Sequence, residues 1–280
     1  MGIPSFLLFP LQKLTIFEKL KNNAMKVVIN PKYSNLKGFI DGILSHSYKA
    51  DNTYRNFRNI VEDTTVDGLH LVVKKFKKPT EANRVVYSFL RPSKAKRAYN
   101  YSNRLLQMGF DVPEPVAYME VNKGLFFHTG YFLCLYTDYR AIADFRDNPE
   151  IAEEEMSLFL DEFSAYAADF HSKGLVHNDF NIDNILYKKL DGHYRFQLID
   201  LNRMSFGNRS LMKCAKDMSS LHFSQTVLDQ ILERYCKNRN IDRDGFAKKV
   251  QYNIGKAKGR SKLKDIILTP LGLRKHKRAW

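Results

Sequence analysis

The stretch Leu175–Tyr187 reads LVHNDFNIDNILY and decides the fold that we expect for this chain. It sets one histidine, two aspartates and three asparagines between apolar residues. An ordinary core strand or helix avoids this arrangement, because a buried polar group without a hydrogen-bond partner is costly. The stretch therefore predicts a loop that carries chemistry and is held between regular elements.

Regular elements are predicted on both sides of this loop. Residues Glu150 to Lys173 carry apolar side chains at helical spacing, and Gly174 is a good helix stop. After the loop, Ile185–Tyr187 is typical of a short strand, LDGH at 190–193 of a hairpin turn, and YRFQLID at 194–200 of a returning strand.

The hairpin has a geometric consequence for three polar residues. Asp179 and Asn184 precede its first strand and Asp200 ends its second, so all three are expected at one end of the ribbon. An amide oxygen and a carboxylate, as in Asn184 and Asp200, suit Mg²⁺. A further carboxylate, Asp179, could take the proton of an attacking hydroxyl. Together they have the layout of phosphoryl transfer.

These residues resemble a known superfamily. His177, Asp179 and Asn184 match the catalytic loop of protein-kinase-like proteins, and Asp200 in LIDLNR matches their metal-binding aspartate. The resemblance implies ATP and Mg²⁺ as cofactors, Asp179 as the catalytic base, Asn184 and Asp200 as metal ligands, and His177 as the catalytic-loop residue that braces the loop.

The residues after Asp200 differ from those of protein kinases. Leu201, Asn202 and Arg203 stand where eukaryotic-type protein kinases carry Phe and Gly, and no Ala-Pro-Glu follows. A peptide-docking activation segment is therefore not expected. Arg203 is open to two interpretations, a contact to a phosphate of the acceptor or a structural bridge to the catalytic loop.

From about Tyr54 to Arg203 the chain resembles bacterial lipopolysaccharide core kinases of the Kdo/WaaP family. The resemblance is carried by LVVKKFKKP, LRPSKAKRAY, GFDVPEPVAY, HNDFNIDNILY and IDLNRM. It implies an α+β, two-lobed protein-kinase-like fold with a small antiparallel β-rich N-lobe and a larger helical C-lobe. It also implies transfer of phosphate from ATP to a Kdo or heptose hydroxyl of the lipid A inner core.

The N-lobe should supply the groups that bind ATP. Lys74 and Lys75 end an apolar strand, and Lys74 is favoured because it keeps phase with Val72 and Phe76. Adenine is expected against the linker between the lobes, at Leu135, Tyr136 and Thr137.

Two expected features of the ATP site are weak in this sequence. The helix predicted over Ser93 to Met108 has no glutamate to pair with the lysine, which leaves Asn100 in that helix or Glu81 upstream. A glycine-rich phosphate loop is missing, and the nearest candidate is a turn around Asp51 and Asn52. Asp217 is not assigned to the ATP site. It is expected only to cap a helix or pair with an arginine.

Composition limits the partners and the compartment. Among 280 residues, 45 are Lys or Arg and 30 are Asp or Glu, a formal charge of +15 that favours polyanions such as an anionic membrane face. Nucleic acid is not expected, because no zinc spacing or aromatic RNA-binding signature is present. Three cysteines without CxxC spacing favour a reducing compartment. Together with the resemblance to the Kdo/WaaP family, the positive charge and the cysteine content predict a cytoplasmic protein that is peripheral on the inner face of the inner membrane.

We expect three segments: an apolar arm (1–25), an N-lobe (26–135) with an antiparallel sheet and one helix, and a C-lobe (136–280) that ends in basic helices. The arm is interpreted as a membrane-surface foot, or as untranslated if the chain starts at Met25. In the segment GLFFHTGYFLCLYTD, two strands are predicted on either side of a turn at His128–Gly130.

The sequence does not exclude other functions. The fold would also serve a kinase of another small molecule or of protein. The missing helix glutamate and glycine loop fit a pseudokinase, a nucleotide-binding scaffold without chemistry.

Overall fold

The computed structural model describes residues 25–45, 47–56, 59–146 and 150–268, with side chains described for these except 55–56 and 261–268. The chain divides into two compact units with the boundary between Asp138 and Tyr139. The predicted apolar arm lies outside the described residues except for Met25, and so does the end of the predicted basic tail, 269–280.

Unit 1 is built on a six-stranded antiparallel sheet with the strand order β1-β5-β6-β4-β3-β2. Its strands are β1 (Met25–Ile29), β2 (Asn52–Asn56), β3 (Asn59–Val66), β4 (Leu69–Phe76), β5 (Pro115–Lys123) and β6 (Phe126–Leu135). Its helical elements are a 3₁₀ helix (Pro31–Leu36), α1 (Lys37–Leu44), α2 (Glu81–Val85), a π-helical turn (Val86–Leu90) and α3 (Lys94–Gln107).

Both faces of this sheet carry a hydrophobic core. On one face Leu71 and Val73 of β4 pack with Ile40 and Ile43 of α1. On the other face Phe76 packs with α3 in a cluster that includes Ala95, Ala98 and Tyr118. Alternate residues of a strand point to opposite faces, so β4 contributes to both cores.

The helix α3 was predicted from its ends, and the structure confirms it. The prediction of a single helix in the N-lobe is wrong, because α1 and α2 also belong to unit 1. The Ser93 hydroxyl accepts the N–H of Lys96 at 3.1 Å as an N-cap. At the other end Gly109 adopts φ +81°, the left-handed conformation that stops a helix.

The predicted turn at His128–Gly130 is wrong, because β6 runs unbroken through these residues. The turn lies earlier, at Gly124, which has φ +61°. Gly130 instead permits close packing, since a Cβ there would lie 3.0 Å from the Cβ of Ala95 in α3.

Unit 2 is mainly helical. Its helices are α4 (Ile142–Arg146), α5 (Glu153–Ser172), α6 (Leu211–Met218), α7 (Gln225–Arg239) and α8 (Arg243–Leu268), with a 3₁₀ turn at Leu201–Arg203. A three-stranded antiparallel sheet has the order β7 (Arg140–Ala141), β8 (Ile185–Leu190) and β9 (His193–Leu198). Within the described ranges, every helix is too short or too polar to cross a bilayer.

The helix α5 is the centre of the unit 2 core. It packs against α7 and the hairpin β8–β9. Its buried residues Phe159 and Phe163 belong to a run of ring contacts that reaches Phe145 at one end and Phe180 of the predicted catalytic loop at the other. The predicted hairpin turn is confirmed, with Asp191 and Gly192 both at positive φ.

Candidate active site

The loop between α5 and β8 is fixed first by backbone pairing. Val176 and Ser205 exchange two backbone hydrogen bonds, of 3.1 and 2.9 Å. Just before them, Gly174 lies so close to Gly207 that a Cβ at Gly174 would be 2.5 Å from the Gly207 carbonyl oxygen. The start of the loop is therefore held against the segment that follows the hairpin.

Asp217 of α6 holds the loop from beneath. Its carboxylate is 1% exposed and accepts the backbone N–H of His177 at 2.6 Å and that of Asn178 at 2.9 Å. The predicted pairing with an arginine or a helix end is wrong. One signal was available in the sequence: Asp217 follows the buried Cys214 by three residues and so lies on the apolar face of its helix.

His177 joins the loop to the strand that leads to Asp200. Its Nε2 lies 3.0 Å from the carbonyl oxygen of Ile199, so Nε2 carries the proton and donates it. Burial lowers the pKa of His177, and nearby Asp217 opposes this only in part. The ring is fully buried, so its contacts are with the protein interior rather than with solvent.

Asn178 ties the loop to the residues after Asp200. It adopts φ +63°, which asparagine tolerates better than most residues. Its side-chain amide donates to the carbonyl oxygen of Arg203 at 3.0 Å and to the Ser205 hydroxyl at 3.1 Å.

The second half of the loop is closed by two asparagines. Asn181 Oδ1 accepts the backbone N–H groups of Asp183 and Asn184, at 3.0 and 3.2 Å. Asn184 Nδ2 donates to the backbone carbonyl of Asp179 at 2.9 Å. This bond orients the Asn184 side chain and leaves its Oδ1 without a hydrogen bond among the described residues. Asp183 is exposed.

The hairpin brings Asn184 close to Asp200, as its geometry predicted. The carbonyl of Asn184 accepts the N–H of Ile199 at 3.0 Å, and Asp200 follows directly at φ +58°. Asn202 donates to Asp200 Oδ1. The oriented Asn184 Oδ1 and the Asp200 carboxylate are hard oxygen donors and fit Mg²⁺. Among described residues, no three His, Cys, Asp or Glu side chains form a metal cluster, so water and phosphate oxygens would complete the coordination.

Asp179 contacts one cation. Its Oδ2 lies 3.2 Å from Arg203 Nη1, and the two side chains are 30% and 60% exposed. The structure thus confirms a bridge between Arg203 and the catalytic loop.

A second layer lies behind Asp217. His171 of α5 is buried, and its Nδ1 is 2.8 Å from the Tyr235 hydroxyl of α7. Its Nε2 lies 3.5 Å from Asp217 Oδ2. Three helices therefore contribute to the support of the loop.

In unit 1 the structure places the two candidate lysines on opposite faces of β4. Lys74 Nζ lies 5.5 Å from the ring centre of Phe76, on the face where α3 packs. Lys75 Nζ lies 5.4 Å from the ring centre of Tyr131, which belongs to the core beneath α1. Lys74 therefore lies on the same face of β4 as Phe76, as its spacing predicted.

The structure supports neither proposed acidic or amide partner of Lys74. The Asn100 side chain is exposed and makes no hydrogen bond with any described residue, because it lies about 200° around α3 from the buried Ala98. Glu81 pairs instead with Lys78, at 3.6 Å, and with Arg84. The buried face of α3 carries Arg97 where the sequence lacks a glutamate.

The linker residues are anchored within unit 1. The N–H of Leu135 donates to Glu114 and that of Tyr136 to His70, both at 2.9 Å. These two amides are already paired within unit 1, so they are not available to adenine. The Tyr136 ring also stacks on His70 with centres 4.1 Å apart.

His70 is held in turn by a buried carboxylate. Its Nε2 lies 2.9 Å from Asp63 Oδ2, which also accepts the Tyr54 hydroxyl. Burial alone would raise the pKa of Asp63, but the hydrogen bonds from Tyr54, His70 and Asn52 outweigh it and lower that pKa.

The predicted phosphate cradle at Asp51 and Asn52 is wrong. The N–H of Asp51 donates to the Asp63 carbonyl and that of Asn52 to the Asp63 carboxylate, at 2.9 and 2.8 Å. Both amides are used within the sheet, since these residues lead into β2. The turn between β2 and β3 lies outside the described residues.

Comparisons with solved structures identify proteins of similar fold. A solved structure described as "WaaP in complex with acyl carrier protein" matches with a TM-score of 0.60 at 17% identity, over 82% of this chain and 98% of that one. This likeness confirms the predicted protein-kinase-like fold. A "MAP kinase LmaMPK10 from Leishmania major" matches with a TM-score of 0.42 at 14% identity, over 71% and 60% of the two chains.

Sequence comparisons give a family but no single relative. No curated protein sequence matches the chain. The model of the "Lipopolysaccharide kinase (Kdo/WaaP) family" matches residues 46–243, well over half of the chain. The chain therefore belongs to the lipopolysaccharide kinase (Kdo/WaaP) family, a family of phosphotransferases.

Proposed function

We propose that this kinase transfers the γ-phosphoryl group of ATP, with Mg²⁺, to a Kdo or heptose hydroxyl of the lipopolysaccharide inner core. The observation that carries the proposal is the braced loop of unit 2. Asp217 and His177 hold it, it presents the Asp179 carboxylate, and the hairpin sets Asn184 beside the residue that precedes Asp200.

Asp179 acts as the general base in this proposal. Its carboxylate orients the sugar hydroxyl and accepts its proton while a bond forms from the sugar oxygen to the γ-phosphorus. The bond from that phosphorus to the bridging oxygen breaks, and ADP leaves. His177 and Asp217 are positioning residues, because both are buried and act on the loop rather than on the substrate.

Asn184 and Asp200 would hold a magnesium ion, which when bound would supply positive charge to neutralise the phosphates. Lys74 contacts the ATP phosphates from β4, and the linker at Leu135–Thr137 lies against adenine. In this proposal the lysine acts without the usual helix glutamate, since α3 carries none.

The acceptor suits the charge of the chain. The inner core carries carboxylates and phosphates, and a protein with a formal charge of +15 is attracted to such a surface. We therefore propose a cytoplasmic enzyme that binds peripherally to the anionic inner membrane, where lipid A core glycolipid is its partner.

Transfer of labelled γ-phosphate from ATP to deacylated core oligosaccharide tests the proposal. Asp179→Asn and Asp200→Asn should each lower the rate at least about 100-fold, since each removes a group needed in the transition state. Asp183→Asn is the matched control, because Asp183 is an exposed carboxylate of the same loop. Transfer that survives Asp179→Asn unchanged would remove Asp179 as the base.

One observation favours a second candidate, a nucleotide-binding scaffold. Helix α3 carries no glutamate, the residue that usually pairs with the ATP-site lysine in this superfamily. Binding of ATP and Mg²⁺ without transfer to core sugars, other small molecules or protein would establish this candidate in place of the kinase.

A further inference from the structure

The Arg203 guanidinium lies beside the proposed base and has hydrogen-bond donors that could bind an anion. Its side chain is 60% exposed and makes one contact, from Nη1 to Asp179 Oδ2 at 3.2 Å. A guanidinium has five N–H donors. Within the described ranges no other partner uses them, so four donors are available to a ligand at the position where the acceptor must meet Asp179.

The contact with Asp179 occupies one of the two carboxylate oxygens of the proposed base. The base must offer a carboxylate oxygen to the acceptor hydroxyl, and Oδ2 is held by the arginine. The exposed pair is only weakly stabilising, because solvent screens it. A stronger oxyanion brought in by the acceptor can therefore compete for the guanidinium.

The backbone of Arg203 is fixed while its side chain is free to turn. The Arg203 carbonyl accepts the Asn178 amide at 3.0 Å, and the preceding Leu201 and Asn202 are buried. The side chain can thus leave Asp179 without moving the loop.

We propose that Arg203 forms an acceptor subsite for a carboxylate or phosphate group on the sugar substrate. When the acceptor binds, the guanidinium exchanges Asp179 for this oxyanion, which its planar donor pair fits in a bidentate manner. The exchange places the acceptor and releases Oδ2 of Asp179 in the same step, so the enzyme selects anionic sugars. This inference rests on the proposed function, because it assigns Asp179 as the base.

Binding and transfer should be measured separately, with three forms of deacylated core oligosaccharide: native, carboxyl-reduced and dephosphorylated. Wild type is expected to bind one neutralised form roughly tenfold more weakly than the native form. The form that loses affinity identifies carboxylate or phosphate as the ligand of Arg203.

Arg203→Gln should weaken binding of native oligosaccharide roughly tenfold and remove the discrimination between native and neutralised forms. Arg203→Lys should restore part of the affinity, since it keeps the charge but not the planar fork. The KM for ATP should change less than twofold. Arg195→Gln, which removes an exposed arginine of β9, is the matched control.

Equal binding of all three forms by wild type, or unchanged discrimination in Arg203→Gln, would overturn the subsite whether or not transfer occurs. Arg203-dependent binding without transfer would leave the subsite standing and overturn the proposed function. Wild type that binds no core oligosaccharide overturns both.

Discussion

The Asp217 carboxylate accepts the backbone N–H of His177 at 2.6 Å, and this contact sets the position of the loop that presents Asp179. A buried carboxylate that receives two backbone amides is a rigid support, because charge-assisted hydrogen bonds are short and strong. The position of the loop therefore depends on a residue of a helix more than thirty positions later in the chain.

Asp217→Asn should disturb this support. The variant keeps one acceptor oxygen, but its NH₂ group faces the second backbone amide. We expect the free energy of unfolding to fall by about 2–3 kcal/mol and phosphoryl transfer by at least about 30-fold. Thermal unfolding and the transfer assay measure the two effects. Asp169→Asn on the exposed face of α5 is the control, and equal behaviour of the two variants would contradict the role of Asp217.

Lys74→Met and Lys75→Met should separate the two faces of β4. Loss of Lys74 removes the cation proposed for the ATP phosphates and should lower transfer roughly 100-fold. Loss of Lys75 removes only its contact with the Tyr131 ring, about 0.5–1 kcal/mol, and should leave the rate within a few-fold. Steady-state kinetics with varied ATP measure both variants, and a larger effect at Lys75 would reverse the assignment.

Asn184→Ala should raise the Mg²⁺ concentration needed for half-maximal transfer. The substitution removes the oriented Oδ1 and also the bond from Nδ2 to the Asp179 carbonyl. We expect a shift of roughly tenfold. A magnesium titration of initial rates measures it, with Asp183→Asn as control. An unchanged titration curve would exclude Asn184 as a ligand.

The buried His177 should make unfolding depend on pH. Its pKa is lowered in the folded state by burial, so the unfolded chain binds the proton more readily. Stability is complete above the unfolded pKa of about 6.5 and falls as the pH drops below it, by up to about 1.4 kcal/mol per pH unit, until the folded pKa is reached.

Denaturant unfolding of wild type and His177→Gln checks this expectation. The measurements run from about pH 7.5 to about pH 5, a range that spans the unfolded pKa of about 6.5. The glutamine keeps a donor for the Ile199 carbonyl and cannot titrate, so its slope should be smaller. His222→Asn, at an exposed histidine with φ +56°, controls for loss of a histidine. Equal slopes in His177→Gln and wild type would contradict the prediction.

Gly174→Ala should cost more than Gly192→Ala. Both residues have positive φ, +73° and +83°, so each substitution carries a backbone cost of about 1 kcal/mol. A Cβ at Gly192 meets open space, whereas one at Gly174 would lie 2.5 Å from the Gly207 carbonyl oxygen. We expect a loss of roughly 3 kcal/mol or more for Gly174→Ala. Equal losses in thermal unfolding would show that the Gly174–Gly207 contact relaxes freely.

Local patterns predicted the regular elements well where one signal dominated. Ser93 and Gly109 gave the ends of α3, and Asp191 with Gly192 gave the hairpin turn. The pattern misled at Gly130, because a glycine in an apolar run indicates either a turn or close packing. The neighbour that decides between them, Ala95, lies on another element.

In the candidate site, too, local features were predicted correctly and contacts between distant segments were not. The order of Asp179, Asn184 and Asp200 around a hairpin was readable from spacing, because a hairpin brings its two open ends together. The support by Asp217, the partners of Glu81 and the pairing of Asp51 and Asn52 were not readable, because each depends on a residue that is close only after folding.

By itself the sequence determined the two-part organisation, the hairpin and the residue types that phosphoryl transfer needs, since these follow from local periodicity, turn residues and short spacings. Only the tertiary structure decided what holds the polar loop in place and what lies beside its base. The hydrogen bonds that Asp217 accepts from the loop and the contact of Arg203 with Asp179 join segments that are distant in sequence. Their proximity is set by packing of buried side chains, which no short stretch of sequence encodes.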